Sequence, residues 1–400
     1  MLNILFLDMN AYFASVEQQL RPELRNRPVA VAAVSVDTSC CIAVSYEARR
    51  FGIKTGTQVR QARQLCPALK LIESRPEVYV RFHHAIVKAV ESCLPVEKIC
   101  SVDELYCRLR GPEQQVERAL SIASTMKQTI KERVGSWLRC SVGVAPNYLL
   151  AKTASDMQKP DGVTVIRQHD LPEILYRLRL DDLPGIGTSM LRRLESHGVS
   201  TMEQLCSLSE RQMVSIWKSV LGRRWWYWLR GHDLPEVPTR RQTVGHSHVL
   251  PPELRTDEGC YSVLIRLIHK AAARLRRMDY WAHRMSVHVC YTGQQVDWKV
   301  SVALGPCQDT LTMIGALRTA WTSRPRSRYP FHASVTLWKL IATSNMSPPL
   351  FAEIQQRTRL AKAMDAINGK FQADTVYIGA MHLARHSAPT RISFTNIPDV

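Results

Sequence analysis

Along the first 170 residues, short continuous apolar runs alternate with stretches of helical period. Residues 2–8 form one such run and end in an acid, which predicts a buried strand. AYFASVEQQL (11–20) has helical spacing with an apolar face. PVAVAAVSV (28–36) and CCIAVSY (40–46) predict two more strands around an Asp-Thr-Ser turn, and EARRFGI begins a helix that Gly52 and Gly56 end. Residues 77–93 predict a helix, and VEKICSV with LYCRLR predicts a hairpin flanking Asp103 and Glu104. A long helix over GPEQQVERALSIASTMKQTIKERV, a strand over LRCSVGVAP, a helix over LLAKTASDMQ and a strand over GVTVI follow. The order has no regular βαβ beat, so an α+β sheet domain is expected rather than a doubly wound one.

Beyond residue 170 the pattern becomes helical. LPGIGTSMLRRLESHGVSTMEQL (183–205) reads as helices around a tight glycine turn, and the helical period continues through GRRWWYWLRGHD. PEVPTRRQT reads as a linker. From 242 to 342 a second unit is expected: strand, helix over 257–278, two strands, helix over 309–322, strand. This β-α-β-β-α-β order predicts a small sheet with its helices on one face.

Composition narrows the function. The 400 residues allow two to four domains with real cores. The formal net charge of +18 favours a polyanionic partner, nucleic acid first. A membrane surface is the weaker alternative, because no long basic amphipathic segment stands out. No apolar stretch has the length of a membrane span, and the first residues lack the basic flank of a leader. The 11 cysteines are odd in number and contain no C-x-x-C pair. Neither a disulfide framework nor a cysteine zinc site is expected, and a reducing cytoplasm fits. The histidines are scattered and none is assigned a metal. Residues 240–342 hold 15 Lys/Arg against 6 Asp/Glu, so about half of the excess charge falls in about a quarter of the chain.

Against that basic background the acids at strand ends carry the chemistry. If the first strand lies beside the 96–107 hairpin, Asp8, Asp103 and Glu104 converge at one sheet edge. Clustered carboxylates repel one another, and an oxygen-rich cluster suits Mg²⁺, which shares its coordination with substrate phosphates. A turn acid beside a helix cap, with no metal, explains the pair equally well on sequence alone. In SYEARRFG, Tyr46 and Arg49 are three apart at a helix start and share a face, a plausible triphosphate grip. In DMQKPDG, Lys159 stands before a turn, either at a site edge or in solvent. Gly185 and Gly187 in LPGIG allow outward backbone N–H groups for a DNA phosphate, or simply join two helices. The WWYW cluster (225–228) reads as core.

Taken together, LDMNAYFASVE, SYEARRFGIKTG, SVDEL, SVGVAPNYLLAKTASDMQKPDG and LPGIG resemble, in order and spacing, the Y-family translesion DNA polymerases, near the bacterial DinB (polymerase IV) and UmuC branches. The resemblance covers about residues 2–342. It implies a multidomain right hand: palm 1–10 and 74–164, fingers 11–73, helical thumb 165–232 with a helix-hairpin-helix, linker 233–241, and little finger 242–342. It implies that Asp8, Asp103 and Glu104 hold two Mg²⁺ ions with the Met9 carbonyl, and that Tyr46, Arg49 and Lys159 hold the dNTP triphosphate. Phe13 falls at the steric gate beneath the sugar. Asn10 stands where the DinB branch commonly has Asp, a position outside the core metal ligands.

The implied partners are primer-template DNA, dNTP and a sliding clamp, with the chain acting as a monomer. In the segment 343–400, Leu350 and Phe351 follow Ser-Pro-Pro and resemble the end of a clamp-binding peptide, without its usual Gln. Capping the next helix is the plain alternative. The rival function is a catalytically inactive DNA- and clamp-binding scaffold of a mutagenesis complex.

Overall fold

The computed structural model describes residues 1–37, 39–236, 241–293, 297–325, 329–347 and 351–388. The chain divides into two compact units, with the boundary after Glu236.

The first unit is built on a five-stranded sheet. Its strands are β1 (Ile4–Met9), β5 (Val96–Ile99), β6 (Glu104–Arg108), β7 (Cys140–Ala145) and β8 (Val163–Val165), in the order β5-β6-β1-β7-β8. β1 is central and antiparallel to both β6 and β7. The apolar run of β1 is buried along its whole length because both faces are covered. Leu5, Leu7 and Met9 join the core formed with helices α4 (Pro76–Glu91) and α5 (Val116–Arg133). Ile4 and Phe6 join the opposite core, with α6 (Tyr148–Met157). Asp8 continues the Ile4–Phe6 face by strand alternation, and so lies on the α6 side.

Between β1 and α4 the chain makes α1 (Tyr12–Leu20) and a three-stranded sheet ordered β3-β2-β4. Its strands are β2 (Val29–Ala32), β3 (Cys41–Val44) and β4 (Lys70–Glu73). The short helix α2 (Tyr46–Arg49) and α3 (Val59–Leu65) lie between β3 and β4. The expected strand over 28–36 stops at Ala32, where Ser74 N–H caps the carbonyl and the chain turns away. The long helix expected from Gly111 starts only at Val116, after a 3₁₀ turn containing Pro112.

After β8 come α7 (Thr188–Glu195), α8 (Met202–Ser207), α9 (Glu210–Trp217) and α10 (Val220–Leu229). Their core is continuous with the α6 face of the sheet, and Trp225 is buried in it, as the core reading of WWYW expects.

The second unit has the strand order β11-β10-β12-β9, all antiparallel. The elements are β9 (Thr243–Val249), α11 (Asp257–Arg277), β10 (Tyr280–Tyr291), β11 (Trp298–Cys307), α12 (Thr310–Trp321) and β12 (Pro330–Ala342). Met285, Val287 and Val289 of β10 pack into one core with α11 and α12. The segment after β12 does not stand apart as a tail. Helix α13 (Ala352–Phe371) is tied to α11 by Arg276, whose guanidinium donates to both Asp365 oxygens at 2.6 and 2.8 Å. Met381, Ala384 and Ala388 enter the same core. Phe351 caps the start of α13 and is 71% exposed, while Leu350 lies outside the described residues. Among the described residues no helix is long and apolar enough to cross a membrane.

Candidate active site

The antiparallel register of β1 and β6 sets Asp8 opposite Glu104. Asp103 ends the turn before β6, and its carbonyl accepts from Met9 N–H at 2.9 Å, which fixes the turn against β1. Asp8 and the distant Asp103–Glu104 pair therefore meet at one sheet edge. They line a cavity of about 440 Å³ together with Met9, Phe13, Tyr46, Arg49 and Lys159.

Two lysines enter this cluster. Lys152 Nζ donates to Asp8 Oδ2 at 2.5 Å and to Glu104 Oε1 at 2.7 Å. Lys159 Nζ lies 2.8 Å from Asp8 Oδ2 and 2.7 Å from Asp156 Oδ1. Sequence reading singled out Lys159 but passed over Lys152. The signal was present: Lys152 and Asp156 stand four apart on one face of α6, and Lys159 follows just past the helix end. What brings that face to the acids is Gly143 in β7. A Cβ there would sit 2.0 Å from the Ala151 carbonyl oxygen, so only glycine lets α6 lie this close to the sheet.

The electrostatics follow from burial. Desolvation pushes the Asp103 carboxyl up to about 6, although a 2.5 Å hydrogen bond from Ser101 works against the rise and the neighbouring Asp8 and Glu104 add to it. Glu104 is raised by burial too, partly offset by Lys152. Burial would lower Lys152, but Asp8, Asp156 and Glu104 outweigh it and hold the ammonium above the ordinary lysine value. Lys159 is raised in the same way by Asp8 and Asp156. The cluster thus binds cationic nitrogen through carboxylate oxygens. A donor set of three carboxylates and a main-chain carbonyl is the hard-oxygen kind that suits Mg²⁺.

The far wall of the cavity is aromatic. Ala11 takes a left-handed φ of 48°, turning the chain sharply from β1 into α1. Phe13 is buried and stacks on Tyr79 at 4.4 Å and 18° between ring planes. Tyr79 is fixed in turn: its hydroxyl donates to the buried Glu17 at 2.9 Å, and Arg75 pairs with the same carboxylate. Neighbouring Tyr12 is pinned by its hydroxyl donating to the Tyr79 carbonyl at 2.7 Å.

Tyr46 and Arg49 meet as expected from their spacing, the guanidinium 4.6 Å from the ring centroid. The Tyr46 hydroxyl is buried with no hydrogen-bond partner among the described residues, a donor left for a ligand oxygen. Asn10 does not line the cavity. Its amide donates to Ser141 at 3.1 Å and its oxygen accepts from Asp161 N–H at 2.7 Å, tying the Pro-Asp-Gly turn to β1. Gly185 and Gly187 also lie apart from the cavity. Gly185 has φ 102°, a conformation that glycine permits, and Gly187 precedes α7.

The family described as impB/mucB/samB matches residues 7–156, and its C-terminal domain matches 241–348. DNA polymerase IV of Moorella thermoacetica is 32% identical over 378 residues, spanning 92% of this chain and 93% of that protein. The chain belongs to the Y family of DNA polymerases. DNA polymerase IV 1 of Bacillus subtilis is 30% identical over 301 residues, 74% of this chain and 71% of that protein. Among solved structures, a Y-family polymerase chimera aligns with a TM-score of 0.70 at 24% identity, covering 85% of this chain and 99% of its own. DinB from Sulfolobus solfataricus aligns with a TM-score of 0.53 at 25% identity over the same shares. The α+β multidomain fold is therefore that of DinB-like Y-family polymerases, and the enzyme is a DNA-directed DNA polymerase. With the family comes a dependence on divalent metal.

Proposed function

We propose that this Y-family polymerase extends a primer 3′-end on a DNA template by two-metal-ion nucleotidyl transfer, in translesion synthesis during DNA repair. The observation that carries the reading is the meeting of Asp8, Asp103 and Glu104 in a cavity that Phe13, Tyr46, Arg49 and Lys159 also line. Asp8, Asp103, Glu104 and the Met9 carbonyl would hold the two Mg²⁺ ions. When bound, those ions make the primer hydroxyl more acidic and offset charge on the triphosphate. The primer oxygen attacks the α-phosphorus of the dNTP, and pyrophosphate leaves.

The protein's own groups do the remaining work. Lys159, Arg49 and the unpartnered Tyr46 hydroxyl take the triphosphate oxygens. Phe13, held flat by Tyr79, lies under the sugar, where a 2′-hydroxyl would lose water without gaining a partner. Lys152 pairs with Asp8 and Glu104 and limits carboxylate repulsion.

In domain terms, residues 1–10 and 74–164 act as palm, 11–73 as fingers, 165–232 as thumb and 242–342 as little finger. Gly185 and Gly187 present backbone N–H groups to DNA phosphate, and the basic little finger grips the duplex through charge. Leu350 and Phe351 dock on a sliding clamp, the exposure of Phe351 being what supports this. The protein works as a cytoplasmic monomer. The intact acid trio weighs against an inactive scaffold.

Primer extension with Mg²⁺ and all four dNTPs tests the reading, with a no-dNTP control. Template-directed lengthening is expected. An unchanged primer would favour the scaffold, and a shortened one a nuclease.

A further inference from the structure

We propose that the open face of the second unit's sheet carries a site for a zinc-class divalent ion, formed by His288, Cys290, Asp297 and His332. No sequence motif announces it. The ligands are separated by 2, 7 and 35 residues, and sheet register is what collects them.

Strand alternation supplies the face. Val287, Val289 and Tyr291 of β10 are buried in the helix-covered core, so His288 and Cys290 point the other way. In the β10–β12 register Cys290 stands opposite His332. In the β10–β11 register Val289 stands opposite Trp298, so Asp297, one residue earlier, reaches the other flank of Cys290. Three strands thus converge on one sulfur.

The separations come close to those of a coordination shell. His288 Nε2 lies 3.0 Å from Asp297 Oδ2 and 3.6 Å from Cys290 Sγ, which lies 3.7 Å from His332 Nδ1. Ligand atoms of His288, Cys290 and Asp297 all fall within 4.8 Å of one another, whereas His332 lies outside that trio and reaches only the sulfur, so its ring would turn inward to become the fourth ligand. A tetrahedral ion with metal–sulfur bonds of about 2.3 Å and metal–nitrogen bonds of about 2.0–2.1 Å sets its ligand atoms roughly 3.3–3.6 Å apart. One thiolate and one carboxylate neutralise a divalent ion, with two neutral imidazoles completing the set. Thiolate and imidazole select zinc-like ions over Mg²⁺, so this site does not compete for the cation that serves the carboxylate cavity. Lys299, opposite His288 in register, is exposed and free to turn its charge into solvent. The bound ion would pin β10, the start of β11 and β12 together at one end of the sheet.

Without metal, the same residues form a His288–Asp297 hydrogen bond with a weakly bonded thiol beside it. Co²⁺ titration of the metal-free full chain under reducing conditions separates the two. The site predicts one ion per chain, tetrahedral visible bands and a thiolate-to-cobalt charge-transfer band, all reversed by Zn²⁺. Cys290→Ser should abolish the charge-transfer band, and His332→Ala and His288→Ala should each weaken binding about tenfold or more. Asp8→Asn should leave the band intact. Far-ultraviolet circular dichroism of each variant distinguishes a lost ligand from a lost fold. Absence of the band in the wild-type chain, or its survival in a folded Cys290→Ser variant, would overturn the proposal. The latter result would put the thiolate at one of the other ten cysteines.

Discussion

The two units gather cation-binding side chains in opposite ways. In the first, carboxylates at the end of a doubly covered strand sit in a cavity with two lysines, and burial raises Asp103 and Glu104. In the second, imidazoles, a thiol and a carboxylate stand half-exposed on the bare side of a sheet. Hard oxygen donors in a cavity large enough for substrate suit an ion that shares its coordination with phosphate. Nitrogen and sulfur donors on facing strands suit an ion that stays and braces the fold. Proximity of acids alone does not define either site. What surrounds the ligands decides the ion and its work.

Exchanging the damage gives the largest expected effect. Asp8→Asn should reduce primer extension by about three orders of magnitude and leave the cobalt–thiolate band in place. Cys290→Ser should remove the band and keep extension near wild type. Equal loss of extension in both variants would break the distinction. Next comes Phe13→Ala, which should raise ribonucleotide incorporation relative to deoxyribonucleotide by about a hundredfold, read from single-turnover insertion. Unchanged sugar selection would move the gate, with Tyr12 next to be tested.

Lys152→Met sharpens the hard-site side of the comparison. Removing an ammonium that competes for Asp8 and Glu104 should lower the Mg²⁺ concentration giving half-maximal extension several-fold, by about the strength of a partly buried ion pair. A higher requirement would mean that Lys152 positions the acids rather than competing for them.

The smallest effect is on acid stability. Burial, with Lys270 and Arg274 nearby, lowers His246 to about 4, while an unfolded histidine titrates near 6.5. Between those values the unfolded chain binds the extra proton, so stability is full above pH ~6.5 and falls as pH drops toward 4. Allowing for partial exposure, denaturation of the full chain should show about 1–2 kcal/mol less stability from this group at the acid end. His83 in the first unit, also lowered by burial, acts in the same direction. His246→Gln should flatten the dependence, and an unchanged slope would remove His246 from the account.

Much of this architecture was legible in the residues. The apolar run ending at Asp8, the hairpin at Asp103 and Glu104, and the β-α-β-β-α-β order all rest on local periodicity, which sequence displays directly. Residues 59–73 were not legible. Val59–Leu65 carries mostly polar side chains, and Lys70–Glu73 is a strand because β2 offers it a parallel edge. The helix after Phe351 was foreseen as a tail, but its place beside α11 depends on the Arg276–Asp365 pair, 89 positions apart. Lys152 was missed because a lysine on an amphipathic helix usually faces water, and the close approach at Gly143 was invisible. The histidines looked scattered because register, which puts Cys290 beside His332, is set by three-dimensional pairing.

The central claim is that the carboxylate cluster performs templated nucleotide addition. Its most direct test is single-nucleotide insertion by the full chain and by Asp103→Ala, with primer-template affinity measured on the same preparations. The wild-type chain should add only the dNTP complementary to the template base. Asp103→Ala should bind the duplex with similar affinity and add nothing measurable. Insertion by Asp103→Ala at the wild-type rate would contradict the account.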